Sequence, residues 1–300
     1  MMKKLIWILI LALCLSGCSI ISLKDTSAEQ PAATEQPAAT EQPAAPEAPQ
    51  ETPEAPLDPQ EPEEPAYDPI VLLSLGQIRV TVTDFLPDAP GGPVLQLEVK
   101  NDTSSDLTFR SGHASIGGVM CDPYWECAAA AGETVESQLW WGTDRLAARG
   151  IAALRDIRME LTVAGNEFVL YDDILEFSPA EGEGNAMQEL QFPDFPAQVL
   201  AQTDAFTVTA LNYAEGRLLL EIRNQTEHEL LCAVTDVTAD GEAFDPQWAA
   251  LIMADALCLS NVEFPAELQP AEITMTLCLY DNTDRSSPTL FSETVTVTVP

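Results

Sequence analysis

The 300-residue chain is 46% apolar and 20% charged, with 48 acidic against 13 basic residues and a net charge of −35. That is enough apolar sequence for two cores of ordinary size. A field of this sign disfavours nucleic acid and anionic membrane surfaces as partners, and suits solubility outside a cell or attraction to cations and basic surfaces.

Lys3 and Lys4 precede an unbroken apolar run from Leu5 to Leu15, followed by small residues and Cys18. Such a run spans about 16 Å as a helix, roughly half the hydrocarbon thickness of a bilayer. Residues 1–17 therefore read as a signal peptide and not as a membrane span. The ending Leu15-Ser16-Gly17-Cys18 resembles the lipobox of bacterial lipoproteins. This resemblance implies cleavage before Cys18, lipidation of Cys18, and anchorage of the mature chain to the outer face of a bacterial cell membrane. Several acyl chains hold stably where a single one is marginal.

Residues 18–69 follow as the lipidated N-terminus and a linker. Glu-Gln-Pro-Ala-Ala recurs at Glu29, Glu35 and Glu41, and no basic residue lies between Asp25 and Ile78. Apart from alanine the segment has almost nothing apolar to bury, so disorder is expected. Proline and spaced glutamates favour an extended stalk, with a reach on the order of 130 Å at full polyproline II extension.

The remainder contains itself twice. At an offset of 123, Leu95–Trp125 aligns with Leu218–Trp248 without a gap, and Asn101-x-Thr103 and Asp122-Pro123-x-Trp125 return as Asn224-x-Thr226 and Asp245-Pro246-x-Trp248. Thr81–Thr83 matches Thr207–Thr209 if the following loop is shortened by three residues, and Asp156–Val163 matches Glu272–Leu279. Two tandem domains are expected, at 70–180 and 198–300, joined by a linker over 181–197. Leu95, Leu97 and Val99 alternate with polar residues, as do Ile157, Met159, Leu161 and Val163, and the chain ends in alternating Thr and Val. This period of two, punctuated by Pro90-Gly91-Gly92, Asn101-Asp102 and Asp240-Gly241, predicts antiparallel sheets with one wet face. Only Thr143–Ile151 reads as helical. The fold class is all-β, two tandem immunoglobulin-like β-sandwiches. The pattern Asn101-x-Thr103, Gly117-Gly118, Asp122-Pro123, Ala131-Gly132-Glu133 and Gly150-Ile151 resembles immunoglobulin-like modules in lipoproteins of Gram-positive gut bacteria. That likeness implies a fold and brings no catalytic residue.

Five cysteines remain after Cys18. Cys121 aligns with Phe244 and Cys232 with Phe109. This exchange predicts that the two sites are cross-strand neighbours and that Cys121 and Cys232 are small buried hydrophobes, with a Cys121–Cys127 bridge as the alternative. Cys278 falls out of phase with Met275 and Leu277, and Cys258 carries no assignment.

The two histidines, His113 and His228, are not shared between the copies. Ser111-Gly112-His113-Ala114-Ser115 suggests a nucleophile and base, but it lacks the strand–elbow–helix setting of a nucleophilic serine. No zinc, phosphate-loop or calcium-loop spacing occurs, so no catalytic residue, metal site or cofactor is expected. Asp236, Asp240, Asp245, Asp281 and Asp284 read as turn formers, with a weak cation site as the alternative. Trp140-Trp141 has no aromatic counterpart near Leu251–Met253, and two neighbours on a strand face opposite ways. Both tryptophans are therefore candidate ligand-binding residues, against packing of the outward ring on the second copy or on residues 178–197. The function expected is non-catalytic, namely adhesion or binding of cell-wall polymer, glycan or protein, with two-site binding by the tandem copies. The alternative is an envelope scaffold with no soluble ligand.

Overall fold

The computed structural model describes residues 67–179, 190–283 and 289–300. The expected signal peptide, Cys18, nearly all of the expected linker, residues 180–189 and Asp284 lie outside them.

In the first repeat the strands are β1 (Ile70–Leu75), β2 (Ile78–Leu86), β3 (Val94–Asn101), β4 (Leu107–Ile116), β5 (Val119–Met120), β6 (Glu126–Ala129), β7 (Glu133–Trp140), β8 (Ile157–Ala164) and β9 (Val169–Phe177), with one short helix, α1 (Thr143–Ala147). The second repeat runs through the same series: β10 (Gln198–Gln202), β11 (Phe206–Ala214), β12 (Arg217–Asn224), β13 (Leu230–Ala239), β14 (Glu242–Phe244), β15 (Ala249–Ile252), β16 (Leu257–Glu263), β17 (Glu272–Asp281) and β18 (Phe291–Thr298). Each repeat packs a sheet ordered β1-β2-β3-β7 (or β10-β11-β12-β16) against one built on β9-β8-β4 (or β18-β17-β13). Taking β2, β3 and β7 as strands A, B and E, and β4, β8 and β9 as C, F and G, gives the immunoglobulin arrangement with β1 added at one edge.

The alternation read from the sequence is what fills the layers. Leu95, Leu97 and Val99 of β3 and Ile157, Met159, Leu161 and Val163 of β8 are all buried, as are Leu218, Leu220 and Ile222 and Ile273, Met275, Leu277 and Leu279. One asparagine in each repeat ties the layers together. Asn101 is fully buried, and its Nδ2 donates to the carbonyls of Ser105, Ala129 and Ala130 at 2.9–3.0 Å while its Oδ1 accepts from Thr103. Asn224 repeats this with His228, Ile252, Met253 and Thr226. Trp125 and Trp248 make a second pair of ties, each indole donating to a serine hydroxyl (Ser137 at 3.0 Å, Ser260 at 3.1 Å). The Asp-Pro-x-Trp element thus holds structure in both copies.

The repeats are also joined side to side. Leu257 pairs in parallel with Val119, and its N–H donates to Gly118 at 2.8 Å, so one sheet runs from the first sandwich into the second. Leu257 and Leu259 belong to the first repeat's core, with Leu211 and Leu219 packed against it, and Met120 belongs to the second's. Arg158 donates to the Ala254 carbonyl at 2.7 Å across the same seam.

Three expectations change. Val80 and Val208 sit opposite Val99 and Ile222, so Val80–Val82 corresponds to Val208–Ala210, two residues away from the threonine match. The loop differs by five residues: 87–93 separates Leu86 from Val94, whereas only Glu215 and Gly216 separate Ala214 from Arg217. The helix stops at Ala147; Gly150 (φ +67°) then turns the chain so that the Ile151 N–H bonds back to Leu146 at 2.9 Å. Finally, Phe109 lies opposite Cys127 and Val163, whereas Cys121 bonds to Ala114, so the two exchanged sites are not cross-strand neighbours. All five described cysteines are buried free thiols, without the alternative Cys121–Cys127 bridge, which is consistent with the reading of Cys121 and Cys232 as small hydrophobes.

Candidate functional site

The offset of 123 persists past the identical residues to the end of β7. The Trp141 N–H donates to Pro93 and the Phe264 N–H to Gly216, positions that correspond exactly one repeat apart. The counterpart of Trp140-Trp141 is therefore Glu263-Phe264, and not the stretch near Leu251–Met253. Trp141 is an aromatic position in both copies. It is fully buried and its indole donates to the Cys121 carbonyl at 2.9 Å. Phe264 packs edge-on against Phe244, the residue at the place of Cys121, with centroids 5.9 Å apart. A large Trp beside a small Cys in one copy and two phenylalanines in the other conserve volume at this place, so the residue that compensates for Cys121 is Trp141 and not Phe109, the partner expected from the cysteine pattern. Trp141 is core, and burial removes it from the candidate ligand site.

Trp140 is different. It ends β7 on the outer face, 39% exposed, and Tyr124, 44% exposed, bridges to it through the backbone. Their rings stack with centroids 4.5 Å apart, and the Arg145 guanidinium lies 4.9 Å from the centre of the Tyr124 ring. The ring thus packs within its own repeat and not on the second copy. The register extends the pair into a strip: Trp140 faces Val94 on β3, which faces Leu86 on β2, itself exposed. One step along the strands runs a polar row, Gln138, Gln96 and Asp84, in which Gln138 Nε2 donates to Gln96 Oε1 at 3.3 Å. The second repeat places Gln247, Glu263, Arg217 and Ala214 where the first has Tyr124, Trp140, Val94 and Leu86.

Both insertions of the first repeat lie at this end. Sixteen residues (141–156) separate β7 from β8, against eight (264–271) between β16 and β17, and the longer β2–β3 loop docks on them through Thr143 N–H to Gly91 at 3.0 Å. Gly92 (φ +135°) lies so close that a Cβ there would strike the Trp141 carbonyl. Between loop and helix is a cleft of about 550 Å³, lined by Phe85, Pro87, Pro93, Leu146, Ile151 and Leu154.

No family model matches the chain, and no curated protein matches it. Among solved structures, it is similar to a transglutaminase of red sea bream (10% identity, TM-score 0.18, 69% of this chain and 29% of that one) and to a cupin 2 conserved barrel domain protein from Leptotrichia buccalis (11% identity, TM-score 0.14, 72% and 88%). The chain spans under a third of the transglutaminase's length.

His113 lies elsewhere, at the seam between repeats. Its Nδ1 is 3.5 Å from Asp122 Oδ2, and its N–H donates to Glu160 at 3.0 Å. The bond to Asp122 raises the imidazole's pKa against the opposing effect of burial. Burial pushes the Asp122 carboxyl up, but the bonds from His113 and the Ala114 N–H outweigh it and hold it below its ordinary value. Ser111 gives its hydroxyl to the Trp125 carbonyl and Ser115 is fully buried. Cys258 lines a small cavity with His113 and Asp122, but burial pushes its thiol up to about 11, so it stays protonated at neutral pH. Two of the turn aspartates are engaged by backbone: Asp240 accepts from Ala271 and Glu272, and Asp281 from Thr283; Asp236 accepts from the Thr235 hydroxyl. Among the described residues no three His, Cys, Asp or Glu side chains cluster as a metal site would require. His228 lies near the Asn224 clamp, which takes its carbonyl.

Proposed function

We propose that this chain is a lipid-anchored bacterial surface protein that binds an extracellular ligand, without transforming it, at the elaborated end of its first sandwich. The observation that carries this reading is the exposed Tyr124–Trp140 stack. Two copies of one scaffold differ most at this place, where a loop extension, an added helix and an aromatic strip gather on the first copy alone. Extensions of a repeat that gather on one face commonly mark the face that binds. One site per chain replaces the two-site binding that the tandem copies suggested. The signal peptide and Cys18 support attachment to the membrane, and the acidic linker supports display away from it.

Thermal unfolding of the mature chain against calcium, wall fragments, mucin-type glycans and matrix proteins tests the binding. A ligand at about 100 times its dissociation constant stabilises by roughly 2.7 kcal/mol. The shift is expected to vanish in Trp140→Ala and to survive Glu263→Ala, the same position in the second copy. A flat panel, or a shift that Trp140→Ala leaves intact, would overturn the site and favour an envelope scaffold. Cys18→Ser is expected to release the protein from membranes into the medium; retention would remove the lipid anchor from the reading.

A further inference from the structure

The ligand class can be argued from the geometry of the strip, on the reading that the strip binds at all. Leu86, Val94, Trp140 and Tyr124 form a row that is one residue wide and runs across adjacent strands. Strands lie about 4.8 Å apart, so the row is on the order of 15 Å long, and the polar row lies about 6.7 Å to its side, two residues along each strand. We infer that the occupant is a neutral saccharide of two or three pyranose units lying along this row.

The chemistry matches on three counts. A pyranose has an apolar C–H face bordered by a rim of hydroxyls, and the site sets an apolar, aromatic row beside amides and a carboxylate. A strand spacing is close to the span of one sugar ring, so successive rings would meet successive apolar positions. The Gln138–Gln96 hydrogen bond uses one donor and one acceptor, and a pair of carboxamides has further donors and acceptors to give to hydroxyls. A proline-rich peptide, whose prolines lack backbone N–H groups, would leave the acceptors of that polar row without donors.

Charge narrows the class. Asp84, Glu98 and Glu136 lie on the same outer face of β2, β3 and β7. Arg145 is committed to the Tyr124 ring and to the Asp122 carbonyl at 3.2 Å; Lys100 and Arg79 share this face one row beyond Glu98, opposite each other, and Lys100 is ion-paired with Asp102 at 2.7 Å. An anionic polysaccharide on the row would lie beside Asp84 and then Glu98 and Glu136 before it reached Arg79 or Lys100, so repulsion governs its approach to the strip. The row is also far too narrow for a protein partner, which covers about 800 Å² on each side of a stable interface.

The test uses the full mature chain carrying Cys18→Ser, titrated with cellotriose, chitotriose, a heparin hexasaccharide and a proline-rich decapeptide. Tryptophan fluorescence and calorimetry give the readouts. A neutral trisaccharide is expected to bind and shift the emission to the blue. Trp140→Ala should weaken binding at least about tenfold, as loss of an aromatic anchor does. Gln138→Ala should weaken the saccharide several-fold without changing the melting temperature. If only the peptide or only heparin perturbs Trp140, the saccharide inference fails and the binding strip stands. If none of the four does, and the wider thermal panel is also flat, both fail.

Discussion

Removing the carboxamide of Asn101 takes a donor from three backbone carbonyls; Ser105 keeps the Thr103 hydroxyl and Ala130 the Glu133 N–H, while the Ala129 carbonyl is buried. For Asn224 the buried carbonyls are those of Ile252 and Met253, and His228 keeps the Thr226 hydroxyl. Each orphaned buried group costs about 1–3 kcal/mol, with partial relaxation. Asn101→Ala is therefore expected to lower stability by about 3 kcal/mol in urea unfolding, and Asn101→Asp by no less, because a carboxylate in that place faces carbonyl oxygens. A loss under about 1 kcal/mol would show that the clamp is dispensable. The two adjacent tryptophans should separate just as clearly. Trp141→Ala empties a fully enclosed site and should cost about 3–5 kcal/mol, whereas Trp140→Ala should cost about 1 kcal/mol or less. At this scale the sequence displays the repeated Asn-x-Thr and Asp-Pro-x-Trp patterns plainly. It does not display the role of Trp141. The residue opposite it one repeat later is a phenylalanine beside a glutamate, and a run of non-identical residues gives an alignment nothing to register on.

At the scale of elements, β3 and β8 and their counterparts β12 and β17 were legible because one face of each is wet, and a period of two then marks the other. The slip of two residues in β2 went undetected for the same reason: a shift of two returns every side chain to its own face, so the pattern cannot distinguish the registers. β16 conceals its role differently. Leu257, Cys258 and Leu259 are buried in succession, with Leu257 and Leu259 turned to the first repeat's core. An unbroken apolar triplet of this kind marks a strand covered on both faces, and with Leu219 at a wet-face position of β12 it was the available signal of a junction. The seam therefore rests on hydrophobic contact with one backbone bridge and the Arg158 bond to Ala254, and Leu219→Glu with Leu259→Glu should break it from the side of the second repeat while leaving the facing residues of β3 and β8, and of β12 and β17, in place. The expected outcome is a single melting transition in the parent protein and two in the double variant, by calorimetry. A single transition retained in the double variant would show that the repeats melt together for another reason.

For the whole molecule, a net charge of −35 means that acid should relieve repulsion everywhere, so a stability change with pH has to be traced to particular groups. The seam supplies them. His113 faces Asp122, Glu160 and, from the second repeat, Glu229. Its pKa is raised above 6.5, so the stabilisation it contributes is complete below 6.5 and is lost as pH rises through the folded value. Glu160 is raised above 4.5, by burial first and then by Glu229, with which it shares a hydrogen bond. Its contribution is likewise complete below 4.5 and lost on the way up. Asp122 is lowered beneath 3.8, so its contribution is present above 3.8 and lost as pH falls through the folded value. The three windows overlap between pH 3.8 and 4.5, and at pH 5 the contributions of His113 and Asp122 are still complete, so the melting temperature at pH 5 should exceed that at pH 8. General repulsion predicts the same direction, but the two causes respond differently to salt and to substitution. Exposed charges are screened at about 0.5 M salt, whereas a partly buried carboxyl pair is screened much less. The difference between pH 5 and pH 8 should therefore persist in salt. Glu229→Gln should narrow it by removing the like charge beside Glu160, and Glu242→Gln, on an exposed position of β14, should leave it unchanged. A difference that disappears in salt, or that Glu242→Gln narrows as much as Glu229→Gln does, would assign the effect to overall charge and leave the seam without a pH response of its own.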